Sequence, residues 1–390
     1  MSSQETLPNV PRSVAGNATT WNGSFSCACL HPCASSNLSF NPTFFTLRSH
    51  ALSLGLDAFS LAPVADAAHF PIFCERVAQG RCSNISYLVS DVEARRNPRS
   101  VLPQAQTLII VALSEKKVVA CSQERRKLLA NAPELHANSQ NDSYVGKIIP
   151  YASCLDYHDV LRGKLRALMQ FYQKRFPDGV ARIAVDTAPL LEKSWAVVSG
   201  LGQCGLHSLA IHPTLGSRFF LGELLVSTPF ETLSGYSTLE EYRQAYASLQ
   251  HAEGIAFKPG QEPENFCKKC RRCLHACPTN AIPGDRTLNA TRCLNFWTIE
   301  NRDPLPEDIS EALQGRLFGC DLCQRVCPYN ASLTTEEPME IPLCGVENLE
   351  EASFRRLFKK TPIFRARLEG LQRVAAQLRR RQGGNLGKKE

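Results

Sequence analysis

Helical and strand rhythms of apolar residues interleave from Phe44 to Pro259. Apolar positions three and four apart predict helices over Thr46 to Leu54, Asp156 to Phe176 and Leu190 to Val198, while an unbroken apolar run predicts a buried strand at Leu108 to Leu113 and a largely apolar one a strand at Ala181 to Val185. Ser208 to His212 and Phe219 to Val226 also read as strands. An α/β or α+β domain over residues 44–259 follows, large enough to enclose a sizeable ligand. Beyond it the rhythm breaks into short runs punctuated by cysteine over residues 260–335. Helical pattern then returns in a basic segment, 336–390, with helices expected at Leu349 to Phe358 and Pro362 to Arg381.

Residues 1–43 are rich in Ser, Asn, Thr and Pro and almost uncharged after Arg12, as in a poorly ordered extension. Cys27, Cys29, Cys33 and His31 sit close together there, but their spacing fits no common metal site, so free thiols are expected. A chain of 390 residues exceeds one core and implies two or three domains. No apolar run approaches the roughly 18 residues that cross a bilayer. A soluble, cytoplasmic protein is expected. The net charge of +7 is modest, but its placement is uneven: from Glu351 to Glu390 twelve Lys or Arg face three Glu. Such density suits a polyanion such as RNA, or else forms a solvated helix face.

Cysteine chemistry dominates residues 260–335. Eight of seventeen cysteines fall in Cys267-Lys-Lys-Cys270-Arg-Arg-Cys273-Leu-His-Ala-Cys277-Pro278, a lone Cys293, and Cys320-Asp-Leu-Cys323-Gln-Arg-Val-Cys327-Pro328. The first run is the bacterial ferredoxin pattern for 4Fe-4S clusters, in which the cysteine before proline ligates the other cluster. One cluster therefore takes Cys267, Cys270, Cys273 and Cys327; the other takes Cys277, Cys293, Cys320 and Cys323. Two structural zinc sites would leave the third cysteine of each run and the CysPro ending without a role. Cytosolic thiols argue against disulfides.

Three upstream motifs compete for catalytic roles. Gly200-Leu-Gly202-Gln-Cys-Gly205 matches the dinucleotide fingerprint, with Glu223 about twenty residues on, but a helix precedes and a strand follows, the reverse of what pyrophosphate binding needs. Asp156-Tyr-His158 opens like a DxHxxG cobalamin box, with Leu161 in place of its glycine; on spacing alone His158 reads as a helix-start or core residue. Asp186 ends an apolar strand, where desolvation should raise its pKa and fit it for proton donation. It could equally cap the helix that Pro189 starts.

The combined order of motifs resembles the epoxyqueuosine reductase family. The matching pieces are Glu93-Ala-Arg95-Arg-Asn-Pro98, Asp156-Tyr157-His158, Val185-Asp186-Thr-Ala-Pro189, Gly216-Ser217-Arg-Phe-Phe-Leu221-Gly-Glu223, both cysteine runs, Cys293-Leu-Asn295-Phe-Trp-Thr298, and Phe354-Arg-Arg-Leu-Phe358. The resemblance implies an α+β chain: a cobalamin-binding α/β domain like that of reductive dehalogenases, a ferredoxin-like module with two 4Fe-4S clusters, and a short basic helical tail. It implies reduction of epoxyqueuosine to queuosine in a tRNA anticodon loop, with two 4Fe-4S clusters and cobalamin as cofactors, a small low-potential electron donor and a monomeric state. Asp186 then matches the proton donor, while Arg95, Asp186, Asn295, Thr298 and Asp321 would lie against the corrin. Where the family shows Gly-Trp-x-Gly-Lys-Asn this chain has Gly202-Gln203-Cys204-Gly205-Leu206-His207, which bears on substrate preference. A related corrinoid reductase with another substrate and a plain electron carrier are the competing readings.

Overall fold

The computed structural model describes residues 40–82, 85–136, 144–333 and 336–384. Cys27, Cys29, Cys33 and His31 lie outside these residues, as do Lys388 and Lys389. Nine strands are described: β1 (Ala58–Pro63), β2 (Thr107–Ser114), β3 (Val145–Ile148), β4 (Ala181–Ala184), β5 (Gln203–Cys204), β6 (Ala210–Ile211), β7 (Phe219–Val226), β8 (Arg316–Phe318) and β9 (Met339–Pro342). β1, β2, β7 and β4 form an antiparallel sheet in that order.

Why β2 reads as a continuous apolar run is clear from its two faces. Ile109, Val111 and Leu113 pack into one core with the helices Pro42–Ser53, Tyr157–Arg175 and Leu239–Ala252; Leu108, Ile110 and Ala112 pack into another with Trp195 and Ala196 of the helix Glu192–Val198. Both faces are dry, so alternation has nothing to report. The helix Tyr157–Arg175 buries Leu161, Leu165, Leu168 and Tyr172, one stripe at helical spacing. Its start is fixed by Asp156, whose side chain accepts the His158 amide at 3.0 Å.

A second sheet, β8-β3-β9, joins distant parts of the chain: β3 runs parallel to β8 and antiparallel to β9. Against it pack the tail helices Glu351–Phe358 and Arg367–Gly384, with Leu357, Phe358, Leu371, Val374, Ala375 and Leu378 buried. The tail is thus a structural element of this core. Its arginines are largely engaged within the protein: Arg355 with Glu351, Arg356 with Glu134, Arg365 with Glu300, Arg379 with Glu347, Arg381 with Glu307 and Glu311. Neither a solvated face nor a free polycation describes this segment as a whole. Exposed cations do remain at Lys359, Lys360, Arg367 and Arg380.

Several sequence expectations shift. The first helix starts at Pro42, ahead of Thr46, because the Asn41 side chain caps it and Pro42 is suited to its first position. The expected strand over Ser208 to His212 shrinks to β6, because Ser208 adopts a left-handed φ of 67°. β1 and the helix Leu239–Ala252 were not anticipated.

Candidate active site and cluster module

Asp186 stands two residues beyond β4 with a left-handed φ of 57°, a conformation that aspartate tolerates better than most residues. Its amide donates to Glu192 Oε1 at 2.5 Å, so the cap expected of Asp186 runs the other way. The helix begins at Glu192, and the Asp186 carboxylate is free to face the helix Tyr157–Arg175. There Oδ2 accepts from Tyr157 Oη at 2.7 Å and lies 3.0 Å from His158 Nε2. His158 Nδ1 lies 2.6 Å from Asp156 Oδ1. One imidazole therefore bridges two carboxylates, and both ring nitrogens donate when it is charged.

Burial alone would depress the His158 pKa, but the bonds and charges of Asp156 and Asp186 outweigh it and push it up to about 9. Burial likewise pushes Asp186 up, yet the His158 and Tyr157 bonds and the charges of His158 and Arg365 carry it below the ordinary carboxylate value. The rise expected from desolvation does not hold, because the cationic His158 outweighs burial. At neutral pH the proton sits on His158 and Asp186 is an anion. Burial and the Asp186 charge both push Tyr157 far above its usual range, so it remains a donor.

An aromatic wall holds this triad. Tyr157 stacks on Phe220 at 4.0 Å and on His158 at 4.1 Å, and Tyr151 meets Phe220 edge-on at 5.3 Å. The Asp186 side chain keeps about half its surface exposed, at 53%. Beneath it lies a second acidic layer. Glu223, on β7 opposite Ile110 and Ala184, is fully buried and neither carboxyl oxygen meets a donor. It lies within bonding reach of Glu192; burial and the Asp186 charge push Glu192 up to about 7, while burial and the Glu192 charge push Glu223 well above the usual range. Two carboxyl groups can bond only when one is protonated. A charged residue inside an eight-residue apolar strand was the available signal for this pair.

Of the remaining expected site residues, Asn295, Thr298 and Asp321 gather at the turn 319–321. Arg95 is buried and donates to Tyr87 O at 2.6 Å, its Nε unpartnered. Asn295 Oδ1 accepts the Cys320 amide at 2.6 Å; Thr298 donates to Leu294 O and accepts the Gly319 amide at 3.0 Å. Asp321 joins a buried network in which Arg218 bonds both it, at 3.0 Å, and Glu115, at 3.1 Å, while Arg325 lies 3.0 Å from Asp321.

The cysteines gather in two neighbourhoods that cross over between the runs. Cys327 feels the charges of Cys267 and Cys270, and Cys273 those of Cys267, Cys327 and Cys270. Cys293 feels Cys320 and Cys277, and Cys323 feels Cys293 and Cys320 most, then Cys273 of the other group and Cys277. Burial and mutual repulsion push the Cys273, Cys293 and Cys327 thiols up to about 11. Among the described residues no group of three or more His, Cys, Asp or Glu closes around a single ion; a four-iron cubane holds its thiolates further apart. No helix among the described residues is long and apolar enough to cross a membrane.

The α+β domain with its hydrogen-bonded acid is followed in the chain by the cysteine module, and residues 266–330 match the family model for a 4Fe-4S double cluster binding domain, the mark of an iron-sulfur protein. The chain belongs to the epoxyqueuosine reductase family: it is 31% identical over 354 residues to epoxyqueuosine reductase of Gloeobacter violaceus, covering 86% of this chain and 95% of that one. Residues 95–187 also match the model described as Epoxyqueuosine reductase QueG, DUF1730. The Escherichia coli epoxyqueuosine reductase is 34% identical over 246 residues, 62% of this chain and 54% of its own. The solved Streptococcus thermophilus epoxyqueuosine reductase superposes with a TM-score of 0.66 at 25% identity, covering 86% of this chain and 80% of that one.

Proposed function

We propose that this protein reduces epoxyqueuosine to queuosine at the wobble position of a tRNA, with Asp186 as the group that delivers a proton to the epoxide oxygen. The observation that carries this is the convergence of Tyr157 and His158 on Asp186 Oδ2, within a stretch matched by the family model. Net deoxygenation removes the oxygen as water and consumes two electrons and two protons. A solved protein of the same fold, 24% identical, was crystallised with a tRNA-Tyr epoxyqueuosine-modified stem loop.

His158 Nε2 holds a proton directly on Asp186 Oδ2. Transfer along that bond gives a neutral carboxyl, which can pass a proton to an oxygen approaching its exposed side, while Tyr157 holds the carboxyl in place. Cobalamin, when bound, would supply a low-valent cobalt nucleophile for the epoxide carbon. Its fit is supported by two buried guanidinium N–H groups, Arg95 Nε and Arg218 Nε, that find no acceptor in the protein and suit an amide-rich ligand. Arg95, Asn295, Thr298 and Asp321 are the residues assigned to hold it, with Cys267, Cys270, Cys273 and Cys327 on one 4Fe-4S cluster and Cys277, Cys293, Cys320 and Cys323 on the other. In this reading residues 44–259 are the catalytic domain, 260–335 the cluster module and 336–390 a tail that helps receive RNA. The Lys360 carbonyl accepts the Asp156 amide at 2.9 Å, which sets exposed Lys359 and Lys360 beside the triad, where phosphates of an anticodon loop would pass. A monomeric, cytoplasmic enzyme fed by a small low-potential donor completes the reading. Protein reconstituted anaerobically with iron, sulfide and cobalamin should convert epoxyqueuosine in tRNA to queuosine. Cobalamin binding without turnover would point to a different substrate, and absence of cobalamin binding would leave an electron carrier.

A further inference from the structure

His207 lines a cavity bounded by Leu206, Cys267, Cys270, Cys273 and Cys327. The residue is 4% exposed. Its ring folds over Gly205: a Cβ there would come within 2.7 Å of His207 Cε1 and 3.1 Å of Nδ1, so glycine makes the seat. The turn is held by the left-handed Ser208. Leu209 donates its amide to His207 Nδ1 at 3.2 Å. An accepting Nδ1 carries no hydrogen, which puts the ring proton on Nε2. Nε2 is buried and meets no partner among the described residues. A buried donor left without an acceptor is costly, and this one belongs to a residue in the wall of a cavity lined by cysteines.

We infer that His207 donates its Nε2–H to a sulfur of the 4Fe-4S cluster held by Cys267, Cys270, Cys273 and Cys327, and so tunes that cluster's potential. The inference rests on the assignment of a cluster to those four cysteines. A donor aimed at sulfur stabilises the more negative, reduced cluster and raises its potential. Glutamine can present a similar N–H, whereas leucine fills the space without one.

The test uses full-length protein with both clusters, uniformly labelled with 15N-histidine. Iron and sulfide content are measured first, then the two midpoint potentials by EPR-monitored redox titration, for wild type, His207→Leu and His207→Gln. One potential should fall in His207→Leu, the other should stay, and His207→Gln should lie nearer wild type. The reduced wild-type cluster should also show a 15N hyperfine coupling that His207→Leu lacks. Two full clusters with unchanged potentials and no such coupling would overturn the inference while leaving the cluster assignment standing. Failure of wild type to hold a cluster on Cys267, Cys270, Cys273 and Cys327 would overturn both.

Discussion

Removing the imidazole that bridges Asp156 and Asp186 tests the electrostatics of the site directly. His158 stands at about 9 against an ordinary 6.5, an upper bound of about 3 kcal/mol. The Asp186 side chain is about half exposed, so solvent screening reduces this to about 1–2 kcal/mol. Because the folded-state pKa is raised, this stability is fully present below pH 6.5 and is lost as pH climbs through 9. Urea unfolding of wild type and His158→Gln should differ by about 1–2 kcal/mol more at the lower pH than above the upper one, where the charge-linked part of the difference is gone. NMR titration of the ring should give a midpoint near 9, falling by about one unit in Asp186→Asn. A wild-type midpoint at the ordinary value, or a stability difference that ignores pH, would refute the bridge.

Other perturbations separate the remaining parts of the structure. Arg218→Met should destabilise by about 3–5 kcal/mol in urea unfolding, since it leaves Glu115 and Asp321 buried without their shared cation. Glu223→Gln should behave oppositely at alkaline pH. Burial raises the Glu223 pKa, so ionising it costs the fold stability as pH rises above its unfolded value; the variant should gain about 1–3 kcal/mol at pH 8, and should lose the infrared band of a buried protonated carboxyl. Cys293→Ala should lose about half the iron, retaining one cluster, by metal analysis and EPR.

Much of the architecture was readable because it rests on short-range pattern. β7 runs exactly as its apolar residues indicate, and Asp156 caps its helix where a helix start was expected. The double-cluster region was readable from cysteine spacing, since that pattern is local in sequence. The triad was only half readable: Asp186 was singled out, but its partners lie about 28 residues earlier in the chain and meet it only through packing of the helix Tyr157–Arg175 on β7. Its pKa direction was therefore misjudged. The ion pairs of the tail arginines were not readable for the same reason, because partners such as Glu134 and Glu300 are remote in sequence.

The central claim is that Asp186 acts as an acid in a cobalt- and cluster-dependent reduction on tRNA. The decisive measurement is single-turnover conversion of epoxyqueuosine-bearing tRNA by reconstituted wild type and Asp186→Asn, matched for iron, sulfide and cobalamin content. Wild type should yield queuosine and Asp186→Asn should lose at least about a hundredfold in rate, the range expected when a positioned proton donor is removed. Equal rates at equal cofactor content would contradict the account.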